Sequence, residues 1–215
     1  MSNRLLAYLL IITIVVCVTN ALLALGLIRF GKLNLLKITG LVTDTGKTNI
    51  SVLEVTSIMF TDALIQFGAG YVNATCTNCT MDTNGSVDQL CCLPEANQTI
   101  NWSTPKYDNF TLENTGNRDA LLNIMSSVSA AGFLGGTNPS FQIQVLEDEP
   151  GSCYGNLLTG WQEVNTTDPG TQFCDNFTYA DTNDTLYIIA KVIVPSDATP
   201  GAKTATIIAT AEGLV

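Results

Sequence analysis

The chain has 215 residues, 46% of them hydrophobic and only 13% charged, with a formal net charge of −10. That length holds one or two modest domains and can bury a core of useful size. Residues 1–40 carry four basic residues and no acid, whereas residues 41–215 carry five basic against nineteen acidic residues, a balance of −14. So acidic a body repels polyanions, which excludes nucleic acid as a partner. There is no His, which removes His-based triads, HExxH zinc sites and imidazole acid–base chemistry. GxSxG, Walker and GxGxxG motifs are also missing, so no catalytic residue, cofactor or metal ligand is expected.

The first element is an apolar segment from Leu5 to Ile28, interrupted only by Thr13, Thr19 and Asn20. As a helix its 24 residues would span roughly 36 Å, enough to cross a bilayer core. Three readings are open: a signal peptide cut after Ala21, a permanent anchor, or a retained helix that packs with copies of itself in a filament core. Arg29, Lys32 and Lys37 follow the segment while only Arg4 precedes it. The positive-inside rule would then put the body in the cytoplasm, against everything downstream. Membrane contact through this segment is expected at least before any assembly.

Residues 32–55, KLNLLKITGLVTDTGKTNISVLEV, form an extended, partly alternating arm. Such an arm can pack as the first strand of its own sheet, or leave and complete the sheet of a neighbour, since an open edge is a template for an added strand. Beyond it, short β-branched runs alternate with Gly, Asn, Asp and Pro turns, the pattern of an all-β sandwich, Ig-like or jelly-roll-like. Strands are predicted at 50–55, 57–60, 63–67, 110–113, 120–126, 141–146, 185–194 and 204–210. Asn114-Thr115-Gly116-Asn117 reads as one turn and Pro195–Gly201 as another, the latter joining the last two strands. No long helix is predicted after residue 40. The division is therefore 1–31 apolar segment, 32–55 arm or first strand, and 56–215 a single sandwich domain.

Cysteines and sequons indicate the compartment. Cys17 lies in the apolar segment, which leaves Cys76, Cys79, Cys91, Cys92, Cys153 and Cys174 in the body. An even set in an exported chain reads as three disulfides. Adjacent Cys91 and Cys92 pair poorly with each other, so Cys76 and Cys79 are their partners in either order, and Cys153 joins Cys174. A Cys₄ zinc site is the weaker alternative, because zinc sites use two spaced pairs. Asn-x-Ser/Thr sequons begin at Asn49, Asn73, Asn78, Asn84, Asn97, Asn101, Asn109, Asn165, Asn176 and Asn183. With Ser and Thr at roughly 18% of the chain, about three would arise by chance. The excess points to a surface coated with N-linked glycans and hence to an extracellular or cell-surface body. Thr75–Ser103 reads as a stapled, sugar-bearing loop. No hydrophobic tail or sorting motif follows the last strand, so attachment is expected through the N-terminus.

Other chemistry is thin. Glu147-Asp148-Glu149 and the Asp181–Asp184 pair could offer oxygens to calcium, but neither has EF-hand spacing and solvated loop charge is the better reading. No carboxylate pair for glycoside hydrolysis stands out. Trp102 and Trp161 are read as core and not as a carbohydrate platform.

Phe110-Thr-Leu-Glu-Asn-Thr-Gly-Asn117 followed by an apolar strand is similar to the strand, Asn-Thr-Gly-Asn, strand pattern of secreted β-sandwich subunits of the camelysin/TasA-like group. Ile193-Val-Pro-Ser-Asp-Ala-Thr-Pro-Gly201, followed by Thr204-Ala-Thr-Ile-Ile-Ala209, resembles the closing hairpin of such surface domains. The whole layout resembles archaeal surface-filament proteins over residues 40–215. The resemblance implies a pilus-like homopolymer in which an N-terminal strand of one subunit enters the sandwich of the next. The three disulfides depart from the bacterial members, and the Lys/Arg-Gly junction usual in archaeal type IV pilins is missing before the apolar run. The expectation is a structural subunit whose partners are other copies of itself, or else a membrane-anchored surface glycoprotein that binds a partner or glycan as a monomer.

Overall fold

Strand β11, Thr185–Pro195, is the spine of the structure. Its sequence, TLYIIAKVIVP, combines β-branched residues with Leu186, Ile188, Ala190, Val192 and Val194 buried on one face, which suits a strand central to a sheet. We describe residues 51–104 and 106–214 of a computed structural model. The apolar segment 5–28 with Cys17, the arm up to residue 50, and Asn49 lie outside these residues.

In chain order the remaining elements are β1 Met59–Asp62, β2 Gly70–Val72, β3 Asn78–Asp82, β4 Cys92–Pro94, β5 Phe110–Glu113, β6 Ala120–Ser126, α1 Ala130–Leu134, β7 Ser140–Glu147, β8 Cys153–Leu157, β9 Gln162–Glu163, β10 Thr171–Phe177 and β12 Ile207–Gly213. The described chain is thus all-β apart from one short helix, whose N-cap Ser129 accepts the Gly132 N–H. One sheet has the order β1-β5-β11-β7-β9, with β3 also on β11; a second has the order β12-β6-β10-β8; β2 and β4 form a small third. Every ladder between these strands is antiparallel.

Along one side of β11, residues 186–193 pair with β7 without a break. On the other side Thr185–Ile188 pair with β5 and Lys191–Pro195 pair with β3. Thr83 closes the gap between these two ladders: its N–H donates to Ala190 O, and its Oγ1 accepts the Ala190 N–H. The inward residues of both main sheets share one apolar cluster, including Leu112, Ile143, Val145 and Ile188 from one sheet and Leu122, Ile124, Phe173 and Phe177 from the other.

Several predicted strands shift or vanish. Ser51–Val55 and Ala63–Phe67 join no ladder, and of the 57–60 run only Met59 and Phe60 enter β1. Their apolar residues are consumed by loop packing: Ile65 and Phe67 touch the core from outside the sheets. The last strand runs from Ile207 to Gly213, three residues later than predicted, because its register follows β6 from Ser126 back to Ala120. The two predicted turns prove to be crossings between sheets. Residues 114–119 carry the chain from β5 to β6, and residues 196–206 carry it from β11 to β12, so the last two strands form no hairpin. The stapled region is not wholly a loop either, since β3 and β4 lie within it.

Disulfides join Cys76 to Cys91, Cys79 to Cys92 and Cys153 to Cys174. This resolves the open pairing and leaves no free Cys₄ set for zinc. Cys79 and Cys92 are fully buried in the core, so that bridge ties the small sheet to the β11 spine. Replacing both Cys79 and Cys92 by Ser should cost about 3 kcal/mol. Thermal unfolding should read this as a fall of roughly 6–12 °C for a domain of this size.

Candidate functional site

The region in which sequence motif and open structure coincide is where the arm meets the domain. Asn114, 1% exposed, forms the floor. Its Nδ2 donates to Arg118 O (3.1 Å) and Phe177 O (2.9 Å), and its Oδ1 accepts the Gly116 N–H (3.1 Å). Asn suits this position because its amide both donates inward and accepts from its own turn. The rigid turn then presents Asn117 to the arm. Asn117 Oδ1 accepts the Val55 N–H (2.7 Å), its Nδ2 donates to Leu53 O (2.8 Å), and its N–H donates to Val55 O (3.0 Å). Thr115 Oγ1 donates to Ser57 Oγ, and the Arg118 guanidinium meets Glu54 at 2.6 Å. Val52 and Leu53 are each 78% exposed just where the chain emerges.

Beside this clamp runs β12. It pairs with β6 over all seven residues in unbroken register, and among the described residues no strand pairs with its other side. The Ser127 N–H donates to Thr206 O and the Leu214 N–H to Asp119 O. Hydrogen-bonded pairs alternate along an antiparallel ladder, so Ile208, Thr210 and Glu212 face β6. The N–H and C=O groups of Ile207, Ala209 and Ala211 therefore point along the free edge, and no described residue bonds to them. Edge strands are normally blunted by brevity, bulges, Pro or Lys. The outer side of β3 is met by residues 86–88, and three other edges follow that rule. β1 has four residues and a register shift, β9 has two residues, and β8 is bulged against β10 and stapled to it by Cys153–Cys174. β12 has none of these guards. Its only charge is Glu212.

The predicted sites are dispersed. Asn78, Asn84 and Asn97 are exposed, and Asn73, Asn101, Asn109, Asn165, Asn176 and Asn183 are half-buried; none of the nine is buried. Six of them lie between residues 73 and 109, and none lies on β6, β7, β11 or β12. Several are already engaged: Asn73 Nδ2 donates to Leu90 O and Asn183 Nδ2 to Gly151 O, while Asn176 Oδ1 is buried without a partner. The acidic clusters are used by the backbone. Glu147 accepts the Cys153 N–H and Glu149 the Asp184 N–H, and the described residues contain no acidic, Cys or His grouping able to hold a metal ion. Trp102 packs against the core and donates to Gly68 O. Trp161 lies under the Lys191 ammonium, 4.9 Å from its ring centre. No described helix is long and apolar enough to cross a membrane.

No known family, characterised protein or solved structure matches this chain. The Asn-Thr-Gly-Asn turn is legible in the sequence, whereas the Arg118–Glu54 pair beside it is not. The one available signal was the position of Arg118 directly after the turn. Asn114→Ala should leave Phe177 O without its donor at a cost of about 1–3 kcal/mol. A fall of several degrees in the thermal midpoint is the expected reading.

Proposed function

We propose that this protein is a structural subunit of an extracellular, N-glycosylated filament on a cell surface, polymerising through its N-terminal region. The arm of one copy adds as a strand to the β12 edge of the next. The observation that carries this reading is the seven-residue edge of β12, unpaired among the described residues and next to the clamp on residues 53–57. An exposed row of unpaired N–H and C=O groups is what strand addition uses for affinity. The side chains of Ile207, Ala209 and Ala211 turn inward along that edge, so an added strand would meet apolar side chains on that face. The archaeal surface-filament resemblance and the layout of apolar segment, arm and sandwich agree with it.

Two further features support the setting. Three disulfides belong to a chain that folds in an oxidising environment, and no described sequon asparagine lies within β6 or β12 itself, the nearest being Asn165, whose O accepts the Ser126 N–H at the end of β6. Electrostatics favour association as well. Residues 51–214 carry four basic and eighteen acidic residues, while Arg29, Lys32 and Lys37 sit on the arm side. Basic arm and acidic body attract, and salt screens the attraction.

The β12 edge offers a selective test. Ala209→Pro removes an N–H that β6 does not use, so the domain should fold while filaments disappear from electron micrographs of sheared cells. Thr210→Pro removes one that β6 needs and should destabilise the domain itself. Abundant filaments from the Ala209→Pro chain would refute strand addition at β12. Changing Arg29, Lys32 and Lys37 together to Glu should lower filament yield, and the wild-type yield should fall as ionic strength rises. Peptide mass spectrometry of the native protein should find hexose-bearing peptides at the exposed Asn84 and Asn97; bare peptides at all sequons would remove the glycoprotein reading. Recovery of the chain solely as an uncut membrane-bound monomer would favour the anchored surface glycoprotein.

A further inference from the structure

Residues 55–57 pass through a groove in which two glycines face the chain. A Cβ at Gly116 would stand 2.5 Å from Val55 O and 3.0 Å from Ser57 N, and a Cβ at Gly213 would collide with Thr56 Oγ1 and come within 2.8 Å of Arg118 Nε. Neither glycine has a positive φ, so backbone conformation does not require glycine at either position. Space does. The two come from unlike elements, an inter-sheet turn and the end of an edge strand, yet both make way for the same segment. On the same side Asn117 reads the backbone of residues 53–55 through both ends of its amide and its own N–H, and Arg118 pairs with Glu54. These contacts hold a segment that belongs to no sheet ladder. Arg118 is half-buried, and its Nε is buried with no acceptor.

We infer that this groove is a positioning site for assembly. It fixes the point at which residues 53–57 reach the Gly213 end of β12, over the face of that strand where a Gly213 Cβ would meet Thr56 Oγ1. A strand donated by a second copy then has the edge N–H and C=O groups of Ile207, Ala209 and Ala211 available, and the resident segment sets where the donor's own domain lies relative to that strand. Asn117, Gly116 and Gly213 act as positioning residues, through the arm, with no contact of their own to the incoming strand. This inference rests on the filament reading above.

The test uses the full chain bearing Gly116→Ala, with Asn117→Ala as a second variant and Val55→Ala as control, because Val55 is exposed and meets the clamp through its backbone. Chymotrypsin cleavage after Leu53 should accelerate at least roughly tenfold in Asn117→Ala, the scale expected from losing its two side-chain hydrogen bonds, and severalfold in Gly116→Ala, whose Cβ displaces Val55 O, with little change in the domain's thermal midpoint. Filament yield should drop severalfold, or the filaments should lose uniform order, while Val55→Ala behaves as wild type. Leu53 as protected as in wild type overturns the inference. So does accelerated cleavage with filaments of wild-type yield and order. A wild-type chain that forms no filament sinks the filament reading itself, which separates the two failures.

Discussion

The structure depends on the double pairing of β11. An eleven-residue strand has two rows of backbone groups to satisfy, and leaving them unpaired in the interior would cost far more than any surface contact returns. On one side a single partner, β7, covers most of its length. On the other no single strand is long enough, so β5 and β3 share it, and Thr83 fills the interval with its backbone N–H and its hydroxyl. Recruiting β3 is what draws the cysteine-rich region into the main fold. Once β3 lies on β11, Cys79 and Met81 face the core, and Cys79 meets Cys92 across the start of the small sheet.

Two finite sheets sharing one core must end in edges, and the molecule treats its edges unequally. β1, β9 and β8 are short, bulged or covalently tied, residues 86–88 fold back onto β3, and β12 is long, regular and without a partner among the described residues. β12 borders the clamp that holds the chain entering from the N-terminal side. Asn117 there imitates a strand: it offers the arm an acceptor and two donors, as a ladder neighbour would, but from a turn that cannot extend the sheet. Residues 53–55 are thereby tied to the domain from a turn and not through a ladder.

The remaining surface is consistent in sign and chemistry. Glu147 and Glu149, weighed in sequence as oxygen donors for calcium, accept backbone N–H groups of residues 153 and 184, and Asp82 and Asp88 cap turns in the same way. Asp197 shows the same use at the inter-sheet crossing. Hydrogen bonds from the Thr137 hydroxyl and N–H hold its carboxyl below the usual range.

Strands β5, β6, β7 and β11 were legible in the sequence, since their apolar and β-branched residues follow the inward–outward period of a sheet. So were the six paired cysteines and the Asn-Thr-Gly-Asn turn, because residue chemistry and adjacency alone restrict what they can do. Strands β3, β4 and β10 were not, since segments such as NCTMD and TQFCDNF owe their pairing to the neighbour they meet, and bulges break the alternation of β10. Which cysteine of each adjacent set finds which partner, which turns cross between sheets, and which edge stays open were decided only by the tertiary structure. Each depends on contacts between residues far apart in the chain, and local periodicity carries no information about them. By itself the sequence determined that the body is β-built, acidic and cross-linked; the packing of its two sheets decided that β12 and the Asn117 clamp would lie side by side.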